Sequence, residues 1–169
     1  MSEVKKARMR KEVIKIIKIM DDAGFETRIA GGAVRDHVLG LSPKDFDLAT
    51  KALPEKVTEI MTAQGFKVIP TGVDHGTVTV AGKHGAYELT SLRKDVETDG
   101  RRAVVSFGES FDEDSLRRDF SFNAMYEDAK GKLYDYHKGQ EDLTNKRIRF
   151  VGDAETRIRE DYLRIMRLF

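Results

Sequence analysis

The sequence predicts an α/β domain built on a mixed, mainly antiparallel sheet flanked by helices. At 169 residues there is room for one domain with its own core. Near the start, apolar Val13, Ile14, Ile16, Ile17, Ile19 and Met20 recur at roughly helical spacing among lysines and arginines, the mark of an amphipathic helix. Beyond it, short apolar runs of strand length alternate with further helical segments, and no internal repeat or low-complexity tract interrupts them.

Taken in order, the pattern predicts a helix over 3–23, a strand over 27–31, a helix over 33–40, a strand over 45–49 and a helix over 54–64. Strands follow at 66–70, 76–82 and 85–92. Residues 94–114 are charged, hold Thr98-Asp99-Gly100 as a turn signal and offer few large apolar residues, so they read as a loop or flap. A helix over 114–125, a small hairpin around Gly131, a strand over 147–151 and a final helix from Ala154 complete the series.

The chemistry concentrates in residues 31–50, GGAVRDHVLGLSPKDFDLAT. Asp45 and Asp47 stand one residue apart in a strand, so their side chains leave the same face and can hold a divalent metal between them. Hard oxygen ligands of this kind suit Mg²⁺, which takes one or two protein carboxylates and completes its shell with water and substrate phosphate. The same acid-x-acid spacing recurs at Glu97/Asp99, Asp112/Asp114 and Asp153/Glu155, and what sets Asp45/Asp47 apart is the glycine turn, arginine and short helix that lead into it. Gly31 and Gly32 lie between a short strand and a helix, where free backbone N–H groups favour phosphate. Arg35, in the first turn of that helix, can reach a triphosphate oxygen.

Glu88 sits mid-strand between Tyr87 and Leu89. It reads either as a third carboxylate beside the aspartates or as an exposed acid on the polar face of the sheet. Arg117, Arg118 and Asp119 precede a packing pattern that presents an arginine to the cavity, and a guanidinium suits triphosphate because its planar donors bind oxygens in pairs and stay charged. In the final helix, Arg157, Asp161 and Arg164 fall on one stripe, with Ile158, Tyr162, Ile165, Met166 and Phe169 on another. An aspartate that accepts and an arginine that donates can together read the edge of a base, and the same pair at that spacing also makes an ordinary surface ion pair.

Composition limits the function classes. The 30 basic and 29 acidic residues leave a net charge of +1, whereas a nucleic-acid-binding domain commonly carries a basic excess. The basic residues of the first helix, from Lys5 to Lys18, read as a solvated face. Cysteine is absent, which rules out disulfides and thiolate metal sites, and none of the four histidines sits in a zinc-ligand pattern. No apolar stretch approaches membrane-spanning length and no signal peptide is evident, so the cytoplasm is the expected compartment.

Four motifs in order resemble one family. Residues 31–50 are similar to the first motif of class II tRNA nucleotidyltransferases, the CCA-adding enzymes, and of their relatives the bacterial poly(A) polymerases. PTGVDHGTVTVAGKHGAYELTSLR (70–93) resembles the central strand pair of that family, LRRDFSFNAM (116–125) its arginine-arginine-aspartate motif, and RIRFVGDAETRIREDYLRIMRLF (147–169) the strand and helix that close the head and open the neck. The resemblance implies a polymerase-β-like nucleotidyltransferase head over 1–150 and the first neck helix over 151–169. It also implies transfer of CMP and AMP from CTP and ATP to a tRNA 3′ end with Mg²⁺.

In that picture Asp45, Asp47 and Glu88 are catalytic, and Gly31, Gly32, Arg35, Arg118, Asp119, Asp161, Arg164 and Arg167 bind the nucleotide, Asp161 and Arg164 selecting it. The tRNA would be held mostly by further C-terminal domains, and the last helix, ending on an apolar face, would continue or self-associate. Two departures stand out: Ser121 where the family commonly has threonine, and Leu41 where it commonly has a basic residue. Poly(A) addition on the same head, or a non-catalytic nucleotide-binding remnant, are the alternatives.

Overall fold

Ser2 opens the first helix, α1 (Glu3–Asp22), by accepting the Lys5 amide on its hydroxyl, and Glu3 suits the positive end of the helix dipole. The structure is a computed structural model that describes residues 1–96 and 104–152. Met9, Val13, Ile16, Ile17 and Met20 form the buried stripe of α1, leaving most of its lysines outside. Arg10 is an exception, turned inward to an ion pair with buried Glu127. None of the described helices is long and apolar enough to cross a membrane.

The chain then runs through β1 (Thr27–Ala30), α2 (Gly32–Val38), β2 (Asp47–Thr50), α3 (Pro54–Ala63), β3 (Lys67–Gly72), β4 (Thr77–Ala81) and β5 (Ala86–Ser91). It continues through β6 (Arg93–Val96), β7 (Val104–Phe107), α4 (Phe111–Leu116), β8 (Met125–Glu127), β9 (Leu133–Asp135) and α5 (Gly139–Thr144). Seven strands form one sheet in the order β3-β4-β5-β2-β1-β8-β9, while β6 and β7 pair apart from it. Only β2 and β5 run parallel; the other pairings described are antiparallel. This is the mixed, mainly antiparallel sheet the sequence predicts.

Alternation along the strands divides the residues between two faces. Leu48, Val78, Val80, Tyr87 and Leu89 join α1, Val57 and Met61 in the main core, while Ala30, Ala49, Leu92, Phe111 and Tyr126 form a smaller cluster. Across the second group the register runs Tyr126, Ala30, Asp47, Glu88 on four adjacent strands. Register partners share a face. An aromatic ring, a methyl group and two carboxylates therefore stand in one row.

The expectations for 94–125 and 139–151 need correction. Residues 94–114 are not simply a flap, since they contain the antiparallel β6–β7 pair and most of α4. The helix expected over 114–125 begins earlier, where Ser110 accepts the Glu113 amide, and ends at Leu116. Arg117 closes it; Asp119 then accepts the Phe120 amide on its own side chain, and Phe120 bridges to Phe150. These contacts compete with the helical ladder. A single turn of 3₁₀-helix at Ser121–Asn123 leads into β8, so Met125 belongs to the sheet. The strand expected over 147–151 reduces to that one bridge, and α5 was not foreseen. The final helix from Ala154 and the Thr98-Asp99-Gly100 turn lie outside the described residues.

Candidate active site

Gly31 sets the geometry of the turn that follows β1. Its φ of 72° and ψ of −134° lie where an L side chain is strained, and a Cβ there would stand 3.7 Å from Arg118 Nη1. The turn delivers the chain into α2, whose first amides have no partner within the helix, as at any helix start. Arg35, one turn along, gives Nε and Nη2 to Asp36 Oδ1 at 3.1 and 3.0 Å and Nη1 to Asn123 Oδ1 at 3.1 Å. That brings α2 against the 3₁₀ turn of the RRD segment. Asn123 was legible only as part of a packing pattern; its amide in fact fixes the direction of Arg35.

Arg118 crosses from the end of α4 toward β8. Its guanidinium carbon stands 5.2 Å from the centroid of the Tyr126 ring, Nε donates to the Tyr126 hydroxyl at 3.1 Å, and Nη2 donates to Asp114 Oδ2 at 3.2 Å. Asp114 is fully buried and also accepts the Tyr126 hydroxyl, the Arg93 amide and Arg117 Nε. Burial pushes the Asp114 carboxyl up, but Arg118, Arg117, Tyr126 and the Arg93 amide more than offset it and hold it below the usual aspartate range. Asp119 lines the same cleft while its Oδ1 is engaged by the Phe120 amide.

Asp47 is the first residue of β2, and Asp45 precedes the strand rather than lying within it. Phe46 between them is buried, so the two aspartates both project outward as the spacing predicts. Glu88 is exposed and directly in register with Asp47 across the parallel β2–β5 pair. Desolvation raises the Asp47 carboxyl above its ordinary value; Glu88 and Asp45 add to this, and Arg118 opposes it. Two clefts meet here. One of about 280 Å³ is lined by Gly31, Gly32, Arg35, Asp47, Arg117, Arg118, Asp119 and Asn123. The other, of about 720 Å³, shares Gly32, Arg35 and Asp47 and extends past Asp45 to Lys6, Lys44 and Leu41.

The structure thus brings together Asp45, Asp47, Gly31, Gly32, Arg35, Arg118 and Asp119, with Glu88 beside Asp47. Asp161, Arg164 and Arg167 lie outside the described residues. Among the described residues no group of three or more histidine, cysteine, aspartate or glutamate side chains is placed to hold a metal by itself. The donors present are hard carboxylate oxygens with an open cleft beside them. They fit an ion that takes one or two protein carboxylates and fills its shell from substrate, and they do not fit zinc. His75 ends the 3₁₀ turn at Val73–His75, before left-handed Gly76, and is exposed, as a turn residue would be.

A strand, a glycine turn and a helix beside two outward aspartates on a mixed sheet define a polymerase-β-like nucleotidyltransferase head. Residues 27–149 match the family model described as the poly A polymerase head domain, and the chain belongs to that family, one of metal-dependent nucleotidyltransferases. It is 46% identical over 158 residues to the mitochondrial CCA tRNA nucleotidyltransferase 1 of Danio rerio, covering 93% of this chain and 37% of that protein. Its fold matches the crystal structure of the Bacillus stearothermophilus CCA-adding enzyme in complex with CTP, with a TM-score of 0.82, 43% identity and coverage of 93% of this chain and 37% of that one. A tRNA nucleotidyltransferase complexed with a primer tRNA and an incoming ATP analog is 30% identical at a TM-score of 0.72, over 90% of this chain and 42% of that one. The chain therefore spans a little over a third of the length of the first two.

Proposed function

We propose that this chain is the catalytic head of a CCA-adding enzyme, which transfers CMP and AMP from CTP and ATP to the 3′ end of tRNA and releases pyrophosphate. The observation that carries the reading is the pairing of outward carboxylates Asp45 and Asp47 with Arg35 and Arg118 around one pair of clefts. The arginines are placed to take triphosphate oxygens, and Gly31 and Gly32 let phosphate approach the backbone. Asp119 stands on the same wall.

Asp45 and Asp47 would hold Mg²⁺, with Glu88 as a neighbouring acid. When bound, the cation supplies charge neutralisation of triphosphate and leaving group and a lowered pKa for the attacking 3′ hydroxyl. The protein forms no bond to the substrate; its residues orient the triphosphate and stabilise developing charge. Residues 1–150 would form the head and 151–169 open a neck, where Asp161 and Arg164 read the base edge with Arg167 nearby. The support for that pair is its spacing and the family resemblance. Cytoplasmic action is the reading that a cysteine-free chain supports.

The near-neutral charge leaves few phosphate contacts for RNA, so we expect this chain to bind CTP or ATP with Mg²⁺ and to bind tRNA weakly. Calorimetry with each ligand tests this, and tight tRNA binding would overturn it. The reaction itself is tested by supplying tRNA that lacks its 3′ end with each NTP alone and then mixed, and sequencing the products. Ordered addition of C, C and A is expected; long adenylate tails would favour the poly(A) polymerase reading, and no incorporation even by a version extended through the neck would favour a non-catalytic remnant. Arg164→Ala should relax the choice among the four NTPs by about tenfold or more, the discrimination one base-edge contact supplies. An unchanged preference would remove the pair as selector.

A further inference from the structure

Asp114 does not line either cleft, yet four donors converge on its two oxygens. Oδ1 accepts the Arg93 amide and Arg117 Nε, both at 3.0 Å, and Oδ2 accepts the Tyr126 hydroxyl at 2.6 Å and Arg118 Nη2 at 3.2 Å. The Tyr126 hydroxyl in turn accepts Arg118 Nε at 3.1 Å, so Arg118 is gripped along one edge by a carboxylate and by the phenol that the carboxylate itself orients. The remaining terminal nitrogen, Nη1, is the atom that a Cβ on Gly31 would meet, and Gly31 lines the cleft. Two gripped nitrogens and one facing the glycine turn fix the plane of the guanidinium. A freely rotating arginine would lose rotamer freedom each time it met phosphate.

We propose that Asp114 is the positioning residue of this site: through Tyr126 it holds Arg118 with Nη1 toward the cleft, and through the Arg93 amide it ties that arginine to the base of the β6–β7 pair. The proposal rests on the reading of Arg118 as a triphosphate contact. The negative charge is required, because an asparagine can keep the Arg93 amide as a donor partner but then turns its own N–H groups toward Tyr126 and Arg118, donor against donor. A purely structural ion pair would affect folding and leave the nucleotide alone. A positioning residue changes nucleotide affinity, and only while Arg118 is present to be positioned.

The test is CTP binding with Mg²⁺ by calorimetry for the parent chain, Asp114→Asn, Tyr126→Phe, Arg118→Ala and the double variant Asp114→Asn/Arg118→Ala. Thermal unfolding of each is followed alongside. Asp114→Asn is expected to weaken CTP binding at least tenfold and Tyr126→Phe by a smaller factor of about three, while Asp114→Asn costs less than twofold once Arg118 is already alanine, the non-additivity that marks a shared interaction. In nitrogen-detected NMR the Arg118 Nε–H resonance, held in the parent, should broaden in Asp114→Asn. Parent-like affinity in a folded Asp114→Asn, or an equal loss with and without Arg118, overturns the proposal. Should Asp114→Asn fail to fold, parent-like affinity in Tyr126→Phe overturns it. Parent-like affinity in Arg118→Ala, or no CTP binding by the parent, is the distinct outcome in which the nucleotide reading fails and the proposal falls with it.

Discussion

The two walls of the site are built on opposite plans. On the arginine wall, Arg118 is held by Asp114 and Tyr126, and Arg35 by Asp36 and Asn123, all with ordinary hydrogen-bond distances. On the acidic wall, Asp45, Asp47 and Glu88 are exposed and make no side-chain hydrogen bond or ion pair among the described residues. Under the proposed function the contrast follows from the chemistry of each ligand. A cation that binds through carboxylate oxygens needs them unoccupied, whereas an arginine that meets a flexible triphosphate gains by being fixed beforehand. Organisation is stored in the protein on one side and is left to what arrives on the other.

The largest effect expected from breaking this contrast is on catalysis from the acidic wall. Asp45→Ala or Asp47→Ala should lower nucleotide addition by about 10²–10³-fold or more, the scale of losing an electrostatic stabiliser. Stability should stay within about 0.5 kcal/mol, since neither side chain makes a hydrogen bond or ion pair to lose among the described residues. Single-turnover extension of an RNA primer together with urea unfolding measures both, and retained turnover at saturating Mg²⁺ would remove the aspartates as metal ligands.

The arginine wall should respond the other way, through stability. Asp114→Ala removes the fully buried acceptor shared by two partly buried arginines, the Tyr126 hydroxyl and the Arg93 amide, and should cost about 3–5 kcal/mol in urea unfolding. Because the folded carboxyl lies below its ordinary range, its contribution is fully present above the unfolded value near pH 4 and is lost as pH falls through the folded one. The stability gap between the parent and Asp114→Asn should accordingly close on acidification below about pH 4.

Smaller effects come from the positions between the walls. Gly31→Ala should destabilise by about 1–3 kcal/mol, the cost of a side chain at positive φ, and should weaken CTP binding by placing a methyl group where phosphate would approach the backbone. Glu88→Gln sharpens the comparison most finely. Exposed, and unpaired among the described residues, it should leave stability within about 0.5 kcal/mol and reduce addition less than either aspartate variant does. A loss equal to that of Asp47→Ala, in the same single-turnover assay, would make Glu88 a full member of the acidic wall.

How much of this was legible in the sequence differs between the walls in the same way. Asp45, Asp47, Gly31, Gly32 and Arg35 lie within one short segment, so local spacing placed them. The first three helices and first five strands followed from apolar periodicity, with ends shifted by only a few residues at most. Asp114 was visible only as one of four acid-x-acid pairs, and Tyr126 not at all, because their meaning comes from a helix end, a strand and Arg93 meeting in space. The helix expected over 114–125 failed for a related reason: the amide of Phe120 is taken by the side chain of Asp119, and Phe120 reaches Phe150, a pairing no local pattern announces. Helix α5 escaped because its short sequence, GQEDLT, offers a single large apolar residue, Leu143, and no periodicity.

The parallel pairing of β2 with β5 has a kinetic consequence. Asp47 meets Glu88 only after α3, β3 and β4 have been threaded between them, a connection far longer than a hairpin turn. Contacts of high sequence separation carry a loop-closure cost that must be met before they stabilise anything, and they form late. The β3–β4 and β4–β5 hairpins can zip locally, but the acidic wall exists only once that three-strand unit docks on β2. Refolding followed by a probe on β4–β5 should therefore run ahead of the recovery of nucleotide binding, and the lag between them times the assembly of the site.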